Sequence, residues 1–216
     1  MLKITFYHDV LCAWCFLASA RLRRIVADVA GDVEVEHRCF ALAPTPEAIG
    51  RMFGNAERGK AEIMDHWAAA AAHPEGEVIQ VQQMRARPFP YPYSMPGLLA
   101  CKAAEFQQGQ AGHWKMFDRV QRAHFIETRN IADFEVLRDC AADTGGLDLA
   151  RWEQDVHSPE VRQAVERDLA EARERGITAV PTMIFDDRWQ ISGAVPEALL
   201  RQIITDILAG RDPTQR

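Results

Sequence analysis

The sequence predicts an α/β fold in which one sheet is interrupted by a large all-helical insertion. Three observations support this prediction. The chain opens with a strand-helix-strand pattern, its middle from 47 to 175 is helical in character, and it closes with a strand-strand-helix pattern. We therefore expect residues 1–46 and 176–216 to build one domain together and residues 47–175 to form a helical domain inserted into it.

The opening pattern begins with an apolar, β-branched and aromatic run of strand length, from Leu2 to His8. Asp9 then turns the chain into an amphipathic helical pattern that ends near Gly31, a residue typical of helix C-termini. Apolar and charged residues alternate from Val33 to Cys39, which is the period of a strand with one buried face. Two prolines soon afterwards end this predicted strand.

Breaks in the helical middle of the chain fall at clusters of glycine, proline and asparagine. They are predicted at 54–55, 73–76, 87–93, 109–112 and 144–146. The last helix of this block is marked by Ser158 as N-cap, Pro159 at the first helical position and Gly176 just past its end. These signals predict several helices and no strand between 47 and 175.

The closing pattern contains two short strands, at 182–185 and 188–192, separated by an Asp186-Asp187 turn. A final helix is predicted from about 196 to 208. Two strands and a helix at this end of the chain would complete the sheet that the opening pattern begins.

The composition indicates a soluble globular protein, because 48% of the residues are hydrophobic and 26% are charged. The formal net charge of −6 disfavours nucleic acid and anionic membranes as partners. The first residues form too short an apolar run for a signal peptide, so we expect a cytoplasmic protein. An odd count of 5 cysteines argues against a structural disulfide framework and favours free thiols.

A Cys-x-x-Cys motif, Cys12-Ala13-Trp14-Cys15, stands directly after the first predicted strand and at the start of the first predicted helix. This context favours a redox function, because thiols three residues apart on a helix lie close enough to form and break a disulfide. Cys12 would lie at the helix N-terminus, where unpaired N–H groups and the helix dipole favour a thiolate, so it is the predicted nucleophile. Cys15, one turn inward, is the predicted resolving thiol.

Several alternatives around this motif stay open. The two thiols could be half of a zinc site, but no second Cys-x-x-Cys accompanies them, and we assign no metal ligand. Trp14 could face a substrate or pack on the protein. His8 and Asp9 could tune Cys12 or simply cap the turn. The other thiols and several histidines are too scattered to suggest a site: Cys39, Cys101, Cys140, His113, His124 and His157.

Several segments together resemble the DsbA-like thioredoxin family, and most closely its FrnE-like cytoplasmic branch. They are Asp9, Cys12 to Cys15, Phe40 to Pro44, Gly176 to Thr182 and Ile191 to Ala194. The resemblance covers nearly the whole chain. It implies a thioredoxin-like fold with a helical insertion, a Cys12/Cys15 active site, and a cis Pro181 beside it. It also implies that Val180 offers backbone hydrogen bonds to an extended substrate segment.

One residue departs from the pattern of that family, because Ala13 stands where a proline usually precedes the tryptophan. Alanine adds a backbone N–H and frees a φ angle next to Cys12, so the redox potential of the family cannot be carried over. The chain also carries no second cysteine motif after its last predicted helix.

The predicted function is that of a thiol-disulfide oxidoreductase, a reductase or isomerase of protein or small-molecule disulfides. Trp14, Val180 and Pro181 are the predicted substrate-binding residues beside Cys12 and Cys15. No tightly bound cofactor is expected, and glutathione is the candidate co-substrate.

Two other functions compete with this one. The first is that of a glutathione-dependent isomerase or transferase, resembling 2-hydroxychromene-2-carboxylate isomerase or the kappa-class glutathione transferases, which share the insertion. Those proteins usually carry serine at the position of Cys12. The second is that of a chaperone-like or zinc-holding protein, in which the thiols are ligands.

Overall fold

The computed structural model describes residues 1–29 and 31–214 of the chain. Within these residues it contains one four-stranded sheet with the strand order β2-β1-β3-β4. The strands are β1 (Leu2–His8), β2 (Val33–Cys39), β3 (Thr182–Phe185) and β4 (Trp189–Ser192). The pair β1 and β2 is parallel, whereas β3 is antiparallel to both β1 and β4. Helix α1 (Ala13–Asp28) connects the two parallel strands, and α9 (Glu197–Leu208) follows β4.

These bounds confirm the predicted opening and closing patterns. In the described part of the chain, every element between β2 and β3 is helical. The helices are α2 (Ala48–Phe53), α3 (Ala56–Ala71), α4 (Val81–Arg85), α5 (Ser94–Phe125), α6 (Phe134–Thr144), α7 (Leu149–Val156) and α8 (Pro159–Glu174), with a 3₁₀ turn at Pro74–Gly76. The division into two domains at 46/47 and 175/176 stays a prediction. Across residues 1–29 and 31–214, no helix is both long and apolar enough to cross a lipid bilayer.

The predicted break at 109–112 is narrower than expected. Helix α5 continues through it, with a kink at Gly109, whose φ of 60° and ψ of −154° are not helical. Gly112 lies beyond the kink, where its backbone approaches Ala104 in the first half of α5. A Cβ at Gly112 would lie only 2.6 Å from the carbonyl oxygen of Ala104. One glycine therefore bends the helix, and the other allows the two halves to approach.

Side chains pack on both faces of the sheet at β1, and this packing fixes the position of the carboxyl end of the strand. On one face, Ile4 and Phe6 are fully buried in a core shared with Phe117 of α5. On the other face, Tyr7 is fully buried and packs with Ala172 at the end of α8. The central position of β1 holds the loop at its carboxyl end, and with it the start of α1, in one place.

Candidate active site

Cys12 is the N-cap residue of α1, a position that serine, threonine and aspartate commonly occupy. Its backbone is extended, with φ of −86° and ψ of 108°. The Cys12 Sγ accepts a hydrogen bond from the backbone N–H of Cys15 at 3.2 Å. The sulfur thus takes the place of a capping oxygen at the N-terminus of α1.

The other neighbour of the Cys12 sulfur comes from a distant part of the chain. The Cys12 thiol donates a hydrogen bond to the carbonyl oxygen of Val180 at 3.4 Å. The peptide bond between Val180 and Pro181 is cis, as the family resemblance implies. Val180 is half-buried and Pro181 is buried. The structure therefore places Val180, which the cis bond joins to Pro181, beside the predicted nucleophile.

The two motif thiols differ in their surroundings. Cys15 is fully buried, whereas Cys12 keeps 5% of its surface exposed. Burial raises the pKa of the Cys15 thiol well above its ordinary value, and a hydrogen bond with the Cys12 side chain adds to this. All five cysteines are free thiols. Cys15 is therefore held as a protonated thiol next to a more accessible partner.

A buried carboxylate fixes the turn that leads into α1. The Oδ1 of Asp9 accepts a hydrogen bond from the Leu11 N–H at 3.0 Å, and its Oδ2 accepts from the Leu42 N–H and the Ser94 hydroxyl, both at 2.6 Å. Burial raises the pKa of the Asp9 carboxyl to about 6, although these donors oppose the shift. Asp9 thus caps the turn and ties three separate segments together.

A second polar side chain, that of Gln121 in α5, forms hydrogen bonds with the backbone of the same turn. Its Nε2 donates hydrogen bonds to the carbonyl oxygen of Cys12 at 3.2 Å and to that of Asp9 at 3.4 Å. Gln121 is fully buried. The amide holds the backbone at the nucleophile in place from the side of the helical segment, and no signal in the sequence pointed to it.

An apolar cavity of about 280 Å³ opens beside Cys12. It lies between the start of α1 and the helices α2 and α3, and both Trp14 and Val180 line it, whereas Pro181 does not. Trp14 is half-buried and meets the ring of His73 edge-on, with the ring centroids 5.4 Å apart. The helical side contributes Ile49, Met52, Phe53, Ile63 and Trp67. The cavity can accept an apolar group next to the Cys12 thiol.

A histidine cluster lies near this site, and sequence spacing did not reveal it. His8, His37 and His113 are all buried, and one nitrogen of each lies within 4.8 Å of the others. His113, whose position in the sequence suggested no site, is therefore part of a cluster. Its two neighbours are on the adjacent strands β1 and β2, and only the fold brings them to it. His124 instead shares a 2.9 Å hydrogen bond with Tyr91.

Replacing Ser94 with alanine is expected to lower the free energy of unfolding by about 1–3 kcal/mol. The Ser94 hydroxyl donates to Asp9 and accepts from the N–H of Ala43 at 2.9 Å, so the variant leaves a buried N–H unpaired. Urea unfolding monitored by tryptophan fluorescence measures the change. Thr205→Ala, on the exposed surface of α9, is the control and should change stability by less than about 0.5 kcal/mol. An equal effect of both variants would contradict the assigned role of Ser94.

Comparison with protein families relates this geometry to known proteins. Residues 3–205 match the family model of the DSBA-like thioredoxin domain. This match confirms the thioredoxin-like fold that the sequence predicts, while the finer placement in a FrnE-like branch stays a prediction.

Curated relatives include proteins named ClpXP adapter protein SpxH. The chain is 26% identical over 223 residues to the one from Shouchella clausii, a match that covers 96% of this chain and 67% of that protein. It is 32% identical over 124 residues to the one from Halalkalibacterium halodurans, covering 54% of this chain and 40% of that protein. The second match thus spans well under half the length of the relative.

Solved structures show the same fold over nearly the whole chain. One is a Nitrosomonas europaea protein proposed to be a protein disulfide isomerase, with a TM-score of 0.80, 18% identity, and 98% of this chain and 99% of that one covered. Another is the cytosolic disulfide reductase DsbM from Pseudomonas aeruginosa, with a TM-score of 0.75, 22% identity, and coverages of 96% and 98%. DsbM is also known in a structure with GSH.

A third solved structure belongs to a different enzyme class. It is a 2-hydroxychromene-2-carboxylate isomerase, with a TM-score of 0.67, 18% identity, and coverages of 96% and 97%. At these identities the three structures establish a shared fold, and they leave the reaction to be argued from the site.

Proposed function

Because this chain belongs to the DSBA-like thioredoxin domain family, we propose that it is a thiol-disulfide oxidoreductase that works through Cys12 and Cys15. The observation that carries the proposal is the position of the Cys12 sulfur. It lies at the N-terminus of α1, 3.2 Å from the N–H of Cys15, and beside a cavity that a substrate can enter. These features suit a nucleophilic thiol, Cys12, with a second thiol, Cys15, that resolves the mixed disulfide.

The proposed reaction has two steps. The Cys12 thiolate attacks one sulfur of a substrate disulfide, forms a mixed disulfide with it, and releases the other sulfur as a thiolate that takes up a proton. Cys15 then loses its proton and attacks the Cys12 sulfur, which forms the Cys12-Cys15 disulfide and releases the second substrate thiol. The substrate gains two electrons and two protons, and the protein dithiol loses them. Two molecules of glutathione, which leave as glutathione disulfide, or one molecule of a dithiol would restore the reduced protein.

The contacts of the two sulfurs support this order. Cys12 is the more exposed thiol and has the N–H donor, whereas burial raises the pKa of Cys15 and keeps it protonated until the mixed disulfide forms. The carbonyl oxygen of Val180 lies 3.4 Å from the Cys12 sulfur, and in the proposal this segment borders the bound substrate. Trp14 and the apolar cavity would receive the apolar part of the substrate.

A redox titration tests the proposal. The reduced protein is equilibrated with mixtures of glutathione and glutathione disulfide, and its remaining free thiols are alkylated and counted by mass spectrometry. We expect one intramolecular disulfide that joins Cys12 to Cys15. A midpoint near about −270 mV would indicate a reductase, and one near about −120 mV an oxidant.

Two variants serve as controls in this titration. Cys140→Ala, in α6, should titrate like the wild-type protein, whereas Cys12→Ser should form no intramolecular disulfide. A wild-type protein whose two motif thiols both stay free at every ratio, or pair with Cys39 instead of each other, would overturn the proposal.

A second candidate is a glutathione-dependent isomerase, and the apolar cavity beside Cys12 is the observation that favours it. In such an enzyme the glutathione thiol reacts with a small apolar electrophile, and the residue at position 12 only binds that thiol. The variant Cys12→Ser distinguishes the two candidates. If it keeps full activity with glutathione and an electrophile while losing disulfide exchange, the isomerase is favoured. Loss of both activities supports the oxidoreductase.

A further inference from the structure

Three histidines meet in the core at the junction of the sheet with α5. His8 is the last residue of β1, His37 is in β2, and His113 follows the kink of α5. All three are completely buried. The ring centroids of His8 and His113 are 5.1 Å apart, as are those of His37 and His113, and those of His8 and His37 are 5.2 Å apart. The cluster is thus compact and nearly equilateral.

The hydrogen bonds of the cluster fix where the protons lie on two of the rings. The Nδ1 of His113 lies 2.6 Å from the Oε2 of Glu105, so it carries a proton and donates it to the carboxylate. The Nε2 of His113 is then a bare acceptor, and the Nε2 of His8, 3.1 Å away, donates to it. His113 is therefore oriented by a carboxylate, with its other nitrogen directed at the cluster.

The remaining nitrogens of the cluster have no partners among the described residues. These are the Nδ1 of His8 and both ring nitrogens of His37. A buried polar atom without a hydrogen bond costs about 1–3 kcal/mol, so a core histidine such as His37, with neither ring nitrogen paired, needs a reason. Packing alone does not supply one, since a phenylalanine at His37 would fill the same space between Phe6 and Trp114 without that cost.

The electrostatics of the cluster match what a metal ion requires of its ligands. Burial lowers the pKa of all three histidines below the ordinary value, so each ring is neutral and has a lone pair to offer. Burial alone would raise the pKa of Glu105, but His113 and Lys102 lower it to about 2, so a negative charge stands behind His113. Lys102 partly offsets that charge, with its Nζ 2.8 Å from Glu105.

From this geometry we infer that His8, His37 and His113 form a binding site for a zinc-type divalent cation, with Glu105 as the carboxylate that orients His113. Three imidazoles with an orienting carboxylate suit Zn²⁺ and related transition metals, whereas Mg²⁺ and Ca²⁺ prefer oxygen ligands. Ligand nitrogens at about 2.0–2.1 Å from a tetrahedral ion lie about 3.3 Å from one another. The His8 and His113 nitrogens already lie 3.1 Å apart, and the third is within 4.8 Å.

Binding requires two small adjustments in the cluster. His8 must hold its proton on Nδ1, so that its Nε2 can face the ion together with that of His113. His37 must move inward, and no hydrogen bond of its ring opposes that motion. The bound ion would join β1 and β2 to α5 at His8, the residue that directly precedes Asp9 and the turn to Cys12. It would stabilise this part of the fold.

Metal reconstitution tests the inference independently of the dithiol. Because the three rings are closed to solvent, the reduced protein is refolded with Zn²⁺, freed of excess metal, and analysed for metal content and Tm. We expect one zinc per chain and a higher Tm, both in the wild-type protein and in the double variant Cys12→Ser/Cys15→Ser. In His37→Phe, zinc affinity should fall at least about tenfold. His157→Gln, at an exposed histidine, is the matched control and should bind normally.

Substitution of zinc by Co²⁺ identifies the ligands. We expect the visible absorption of tetrahedral cobalt without the charge-transfer band that thiolate ligands produce. Circular dichroism checks that His37→Phe is folded, and if it is not, His113→Asn decides, because the asparagine amide matches the position of the His113 Nδ1 that donates to Glu105 and removes the ligand nitrogen. The inference is wrong if the refolded wild-type protein binds no metal, if binding is unchanged in the histidine variants, or if it is lost only in the double cysteine variant. The last outcome would place the metal on the dithiol and would also weigh against the proposed function.

Discussion

Cys12→Ser is expected to lower kcat/KM for disulfide reduction by at least about 10³-fold while leaving the protein folded. A serine hydroxyl is not ionised at neutral pH and cannot form a disulfide, so the first step of the proposed reaction has no nucleophile. Serine is also a good N-cap residue, and its hydroxyl can accept the hydrogen bond that the Cys15 N–H now gives to sulfur at 3.2 Å. The loss of activity should therefore come without loss of helix α1.

Initial rates of reduction of glutathione disulfide and of insulin, with circular dichroism alongside, measure this effect. Cys140→Ala is the control, because Cys140 lies in α6, away from the motif, and should keep near wild-type rates. A Cys12→Ser variant with more than about a third of the wild-type rate would show that the chemistry does not use this sulfur.

Glu75→Gln is expected to lower the free energy of unfolding at pH 7 by about 2–3 kcal/mol without affecting the dithiol. Glu75 lies in the 3₁₀ turn after α3, and its carboxylate accepts hydrogen bonds from Arg21 at 2.9 Å and Arg24 at 2.6 Å, both in α1. The Arg21 side chain is only 5% exposed, so the neutral glutamine would leave a buried guanidinium without its counter-charge.

The effect of Glu75 should depend on pH in a defined direction. The hydrogen bond from Arg21 lowers the pKa of Glu75 to about 2, below the value of about 4.3 expected in the unfolded chain. A lowered pKa means that the stabilisation is complete above about pH 4.3 and is lost as the pH falls towards 2. The stability difference between wild-type and Glu75→Gln protein should therefore be constant from pH 7 to 5 and shrink below pH 4.

Urea unfolding at a series of pH values measures this difference, with Glu77→Gln as the matched control at an exposed position two residues further on. A gap between Glu75→Gln and wild-type protein that stays the same down to pH 3 would contradict the assigned ion pair.

Local signals in the sequence were sufficient for the secondary structure. The alternation from Val33 to Cys39 and the Ser158-Pro159 start of α8 predict those elements at their observed positions. They succeed because strand period and helix caps depend on neighbouring residues. The break at Gly109 was predicted too widely, since whether Gly112 stays helical depends on its approach to Ala104.

The candidate site was predictable only in part. The motif and its place at a helix start are local, so Cys12 and Cys15 could be singled out, and Val180 and Pro181 came from the family resemblance. The support from Gln121 and the histidine cluster could not be found this way. His8, His37 and His113 are far apart in sequence, and their meeting depends on strand register and on how α5 crosses the sheet.

The central claim is that the Cys12 sulfur attacks a disulfide and that Cys15 releases the product. The variant Cys15→Ser tests it most directly, because it can form the mixed disulfide but cannot resolve it. After incubation with glutathione disulfide and digestion under acidic conditions, mass spectrometry should find one glutathione per chain, attached to Cys12. A variant that carries no adduct, or carries it on Cys39, Cys101 or Cys140 instead, would contradict the claim.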